Sequence, residues 1–85
     1  MRVSSINIPN GLSEMNINSI IQLGELVRKQ RKALGLTQVE AAGLCGVGER
    51  FLRELEHGKP TIETGRMLQV MAGLGIELDA KVREP

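Results

Sequence analysis

The residues best suited to chemistry lie in residues 37–59, where charged and hydrogen-bonding side chains recur at helical spacing. Arg50 carries a planar fork of donors that matches guanine O6 and N7 in a DNA major groove. A surface arginine with no partner is the competing reading. Glu49, one residue earlier, can accept from a cytosine amino group, or can equally be an acid facing the dipole of a helix's first turn. Arg53 follows Arg50 by three residues and shares its exposed face, where it suits a phosphate or a base. His57 and Lys59 close the same edge as neighbours of a nucleic-acid backbone. At the other end of the stretch, Thr37 and Gln38 open a helix whose free N–H groups and dipole favour phosphate. A solvated first-turn residue is the alternative for Gln38.

Catalysis finds no comparable set. His57 is the single histidine and Cys45 the single cysteine, so neither a Cys/His metal cluster nor a Ser/His/Asp triad has its members. No Gly-rich phosphate loop occurs. Cys45, in an apolar run at a helix end, reads as core rather than nucleophile. Neither an enzyme, a cofactor nor a metal is expected.

These side chains need two short helices to hold them. Thr37 with Glu40 three places later makes a capping box. The helix they start carries Val39, Ala42 and Leu44 as its inner side and stops at Gly46. A second helix, within residues 48–57, runs from about Glu49 to His57, with Phe51, Leu52 and Leu55 apolar and Arg50, Arg53 and Glu54 polar. Gly58 follows it, as Gly does just past a helix end. Two such helices joined by a tight turn at Gly46, with Val47 in the corner, describe a helix-turn-helix.

The run LVRKQRKALGLTQVEAAGLCGVGERFLRELEHGKPTIETGRMLQVMAGLGIEL resembles the XRE/Cro-type (phage-repressor-like) DNA-binding family. The residues that carry the resemblance are RxxxGLTQxExA, then GV, LxELExGKP and a closing helix ending in LG. It covers roughly residues 19–83. Within it, RFLRELEHGKPT and LGIELDAKV are most similar to HipB-like antitoxins, small repressors that partner a HipA-type kinase toxin. The resemblance implies an all-α, four- to five-helix lambda-repressor-like domain with a C-terminal β-strand that pairs across a homodimer. It implies that Gln38 contacts the DNA backbone and that Arg50 leads in reading bases. It also implies a structural ion pair, Arg31 with Glu56, clamping the first helix to the third. The chain departs from the family at Gly48, where Ser or Thr often stands: Gly caps passably but offers no hydroxyl to phosphate.

Eighty-five residues suffice for one domain. A core this small buries only about 60% of the unfolded chain's surface, so a dimer interface would help. With one Phe and no Trp or Tyr, it must be built from Leu, Ile, Val, Met and Ala. The lone cysteine rules out an internal disulfide and fits a reducing cytoplasm. No apolar run approaches the ~20 residues that span a bilayer, and no signal-peptide core is present. The net charge of +1 says little about nucleic acid, but residues 26–59 hold seven basic side chains against four acidic ones. That excess is a modest bias towards phosphate.

Outside the motif, residues 1–18 are rich in Ser, Asn, Gly and Pro and read as a mobile or loosely docked tail. The sharper alternative is an arm that packs on a dimer mate or a partner protein. Ile6 and Ile8 allow a short strand ending in the Pro9-Asn10-Gly11 turn. Residues 19–75 form the DNA-binding domain. Its first helix is opened by Ser19 and Gln22 and turns Ile20, Leu23, Leu26, Val27 and Leu34 inward, while Arg28, Lys29 and Lys32 face water or phosphate. Gly24 inside it suggests a close helix crossing. Thr61 is the expected cap of a last helix carrying Ile62, Met67, Leu68, Met71 and Leu74. In residues 76–83 the period changes to two, with Ile76, Leu78, Ala80 and Val82 on one side. With no second strong strand in the chain, that strand is expected to pair with its copy across a two-fold axis.

The expectation is a sequence-specific repressor that binds double-stranded DNA at a palindromic operator. Within that class, an antitoxin that represses its own operon and neutralises a HipA-like kinase is favoured over a stand-alone phage-type repressor. A protein–protein adaptor on the same scaffold is the alternative from a different class. It predicts no salt-dependent DNA binding.

Overall fold

A computed structural model describes residues 2–5, 14–80 and 82. Strands β1 (Arg2–Ser5) and β2 (Glu14–Asn16) precede the helices α1 (Ile20–Ala33), α2 (Gln38–Cys45), α3 (Glu49–Glu56) and α4 (Thr64–Gly73), and strand β3 (Ile76–Asp79) follows them. The helices pack around Leu23, Leu26, Val27, Leu52, Leu55, Val70, Met71 and Leu74, all buried. The architecture is therefore helical with a small sheet beside it.

Helix α1 starts where Ser19 accepts from the Gln22 N–H at 3.2 Å. The Gln22 carboxamide accepts from the Asn18 N–H, one residue earlier than a capping box requires. Its inner stripe is Leu23, Leu26 and Val27, extended by buried Gln30 and Arg31, whereas Leu34 is the C-cap and exposed. Gly24 lies at the crossing with α3: a Cβ there would strike the Leu55 carbonyl oxygen and come within 2.9 Å of that of Glu56. Both obstacles are backbone, so only glycine permits this approach.

Helix α2 begins in a capping box, with Glu40 N–H to Thr37 Oγ1 at 3.1 Å and Thr37 N–H to Glu40 Oε1 at 2.9 Å. Its inner face differs from the one read in the sequence. Ala41, Ala42 and Cys45 are buried, while Val39 and Leu44 are 61% and 62% exposed. Small side chains let α2 lie close to α3 and α4. A Cβ on Gly73 of α4 would come within 2.6 Å of the Cys45 sulfur. Gly46 then takes a left-handed φ of 72°, turning the chain towards α3.

Helix α3 buries Leu52, Leu55 and Glu56 and has Gly48 as its N-cap, with no side-chain bond to its first turn. Helix α4 is capped by Glu63 and not by Thr61. The Glu63 carboxylate accepts from Gly65 N–H at 2.7 Å and Arg66 N–H at 2.9 Å. Thr61 falls in the preceding turn, too early to reach those groups. The buried side of α4 is Met67, Val70 and Met71, continued by Leu74, with Leu68 outside. Two amides tie the helix ends together: Gln30 Nε2 donates to Leu74 O at 2.9 Å, and Gln69 Nε2 donates to Cys45 O at 2.8 Å.

Strand β3 has a partner within its own chain. The sheet order is β2-β1-β3, both pairings antiparallel, with Val3 opposite Leu78 and Ser5 opposite Ile76. The expectation of no second strand therefore does not hold. Two segments of the presumed tail, Arg2–Ser5 and Glu14–Asn16, are strands, and Ile17 is buried in the core. The turn and strand expected at Ile6–Gly11 lie outside the described residues. Ile76 is buried and Leu78 half-buried in the protomer's own core, whereas Ala80 and Val82 are exposed beyond the end of β3.

Candidate nucleic-acid interface

A groove of about 590 Å³ runs between α1, α2 and α3, lined by Arg28, Arg31, Lys32, Thr37, Gln38, Val39, Glu49, Glu56 and His57. The start of α2 and the start of α3 open onto it. The capping box fixes the first, and the Gly46 turn sets the direction of the second.

At its floor, Arg31 forks onto Glu56. Nε to Oε2 is 2.6 Å and Nη2 to Oε1 is 3.0 Å, while Nη1 donates to Leu36 O at 2.9 Å. Both side chains are buried. A two-point pair of this kind is directional as well as strong, and it joins α1 to α3 and to the turn before α2. Gln38 adds a third donor, Nε2 to Glu56 Oε1 at 3.2 Å. In the free protein its carboxamide is thus turned towards the ion pair, and Gln38 is half-buried.

The outward side of α3 carries the charged residues. Arg50 is the most exposed of these, its side chain 83% exposed, with Nε 3.8 Å from Glu54 Oε1. Arg53 Nη1 lies 4.0 Å from Glu49 Oε1. Lys59 Nζ donates to Glu54 Oε2 at 2.6 Å, and the Lys59 ammonium holds the Glu54 carboxyl below the usual carboxylate range, aided by Arg50 and Arg53. His57 Nδ1 sits 2.7 Å from Arg53 O, so the tautomer protonated there donates to that carbonyl and leaves Nε2 outward.

The structure brings Thr37, Gln38, Glu49 and His57 to one groove, with Arg50, Arg53 and Lys59 on the adjoining face; Gly48 is exposed in the turn before α3. One residue of this surface was read from the sequence as core. Val39 lies on the groove wall, displaced from the core by Ala41 and Ala42. Arg28 and Lys32, read from the sequence as facing water or phosphate, reach the same groove from the outer face of α1. Elsewhere, burial pushes the Cys45 thiol above its ordinary value, and its Sγ faces Val70 O at 3.6 Å. Among the described residues no group of three His, Cys, Asp or Glu is placed to hold a metal ion, and no helix is long and apolar enough to cross a membrane.

A helix-turn-helix family model matches residues 27–81, and the match contains the first helix's second half, the turn and both helices of the motif. The chain belongs to the helix-turn-helix family of transcriptional regulators. It is also similar to an uncharacterized HTH-type transcriptional regulator, y4mF, of Sinorhizobium fredii (strain NBRC 101917 / NGR234). The two are 48% identical over 63 residues, covering 74% of this chain and 83% of that protein.

Proposed function

We propose that the protein is a sequence-specific DNA-binding repressor that places α3 in the major groove. The observation that carries this is Arg50: a strongly exposed guanidinium in the first turn of the second motif helix, where such helices present side chains to base edges. Arg53, Glu49 and Gln38 would supply further base or phosphate contacts, with Thr37, Gly48, His57 and Lys59 along the backbone. Gln38 would have to exchange its bond to Glu56 for a phosphate, a swap between two anionic acceptors. The role is one of binding, with no catalytic step.

The repressor works as a two-fold dimer in this reading. Strand β1 covers one edge of β3, and among the described residues no strand pairs with its other edge, which is left for a second copy. Val82, 95% exposed in the protomer, would be covered by such pairing, with Ala80 beside it. A two-fold dimer predicts half-sites about one helical turn apart. Hydroxyl-radical footprinting on the DNA upstream of the gene should show two protected patches at that spacing. Protection of a single patch would contradict the dimer, and no protection on any duplex would contradict the repressor.

The finer proposal is an antitoxin similar to the HipB type, which represses its own operon and binds a HipA-like kinase. It is supported by RFLRELEHGKPT and LGIELDAKV alone. Co-purification with a kinase encoded in the adjacent reading frame tests it. An adjacent integrase gene and no kinase would favour a stand-alone phage-type repressor.

A further inference from the structure

The acids of α3 differ in how firmly they are held. Among the described residues Glu49 pairs with Arg53 alone, at 4.0 Å. Glu54 is anchored: its side chain is 29% exposed, its Oε2 accepts from Lys59 Nζ at 2.6 Å, and its carbonyl accepts from the Lys59 N–H at 3.1 Å. Lys59 is itself restricted, standing between Gly58 in a left-handed conformation and Pro60, which biases it towards extended geometry. The nearest approach of Arg50 to the other oxygen of Glu54 is Nε to Oε1, at 3.8 Å. With the side chain 83% exposed, the guanidinium keeps donors free in solvent for two-point recognition of guanine.

We propose that Glu54 is a positioning residue for Arg50: fixed by Lys59, it steadies the arginine by its Nε edge and presents the fork to a guanine. The proposal rests on the DNA-reading function above. It makes two effects of Glu54 oppose each other. As one more negative charge beside phosphates it weakens binding to any duplex; as a guide for Arg50 it strengthens binding to the right one. A residue that only supported the fold would move both in the same direction.

The test uses the full chain and two probes, a duplex recovered by the wild-type protein from a randomised pool and an unselected random duplex. Affinities are measured for wild type, Glu54→Gln, Arg50→Ala, the double variant, and Glu77→Gln as a charge control on β3. Glu54→Gln should bind the selected duplex about three- to tenfold more weakly, and should add no loss in the Arg50→Ala background, as expected for coupled residues. On the random duplex it should bind as tightly as wild type or tighter. Glu77→Gln should shift both probes alike. Glu54→Asp, which keeps the charge but shortens the reach, should lose discrimination without gaining on the random duplex, and serves if Glu54→Gln folds poorly. Undiminished discrimination in both Glu54 variants, with discrimination lost in Arg50→Ala, would overturn the positioning role alone. Failure of the pool to yield any preferred sequence, with Arg50→Ala binding as wild type does, would overturn the DNA reading and this proposal together.

Discussion

Glu56 lies buried beneath the groove and accepts from two nitrogens of Arg31 and from Gln38. Removing the arginine leaves that buried carboxylate with Gln38 as a single neutral donor. Arg31→Ala is therefore expected to cost about 3–5 kcal/mol of folding stability, the usual consequence of orphaning one member of a buried pair. Urea unfolding would measure it, and a loss below about 1 kcal/mol would show that water reaches Glu56 after all. The family resemblance implied this pair, while the sequence by itself left Glu54 as a competitor for the same arginine. Gln30 had no such signal. It is a polar residue on the inner stripe of α1, and only the fold reveals that its amide holds the carbonyl of Leu74, just past the end of α4. Its Oε1 is buried without a protein hydrogen-bond partner among the described residues.

At the scale of elements, helix boundaries were legible where a local chemical device sets them. Thr37 and Glu40 fix the start of α2, and Gly46 and Gly58 end α2 and α3, because caps and left-handed turns act within a few residues. Which face of α2 is buried was not legible. The segment QVEAAGLC has apolar residues on every side, so periodicity cannot choose; close packing against its neighbours selects the small ones. α3 is the opposite case, with Leu52 and Leu55 cleanly separated from its charged side. The cap of α4 escaped because a Thr and a Glu, both able to cap, lie two residues apart, and backbone geometry decides between them.

The capping box also gives α2 a pH dependence. Hydrogen bonds from the Thr37 N–H, and secondarily its hydroxyl, hold the Glu40 carboxyl below its usual range. A carboxyl lowered in the folded state stabilises the protein above its unfolded value, about 4.3 for Glu. That contribution is lost as pH falls through the lowered folded value. Thr37→Ala should cost about 1 kcal/mol at neutral pH. Glu40→Gln removes the charge, and its difference from wild type in thermal melts should narrow below about pH 4, as the wild-type carboxyl is protonated. A gap constant down to pH 2 would mean that the carboxylate contributes nothing.

Taken as a whole, the molecule ties its two ends together. Arg2–Ser5 pairs with Ile76–Asp79, so the start of the chain closes the sheet that follows α4. The alternation in IELD was visible, but its partner RVSS was not, since a four-residue strand with one strongly apolar residue becomes a strand only when a neighbour supplies the hydrogen bonds. Removing residues 1–16 is thus expected to lower the melting temperature and expose the β1-facing edge of β3, seen as faster amide exchange at Glu77–Asp79. A truncated chain with unchanged melting and exchange would return these residues to the status of a tail.

The central claim is that α3 reads DNA through Arg50, and fluorescence-anisotropy titration of the upstream duplex tests it most directly. A random duplex and the Arg50→Ala protein are the controls, each at two salt concentrations. The account predicts binding to the upstream duplex that weakens steeply with salt, by roughly one power of ten in affinity per tenfold salt for each phosphate neutralised. In Arg50→Ala the preference over random DNA should disappear while much of the salt dependence remains, because a base contact is lost and the phosphate contacts stay. Arg50→Ala binding both duplexes as wild type does, or wild-type protein binding neither at low salt, would contradict it.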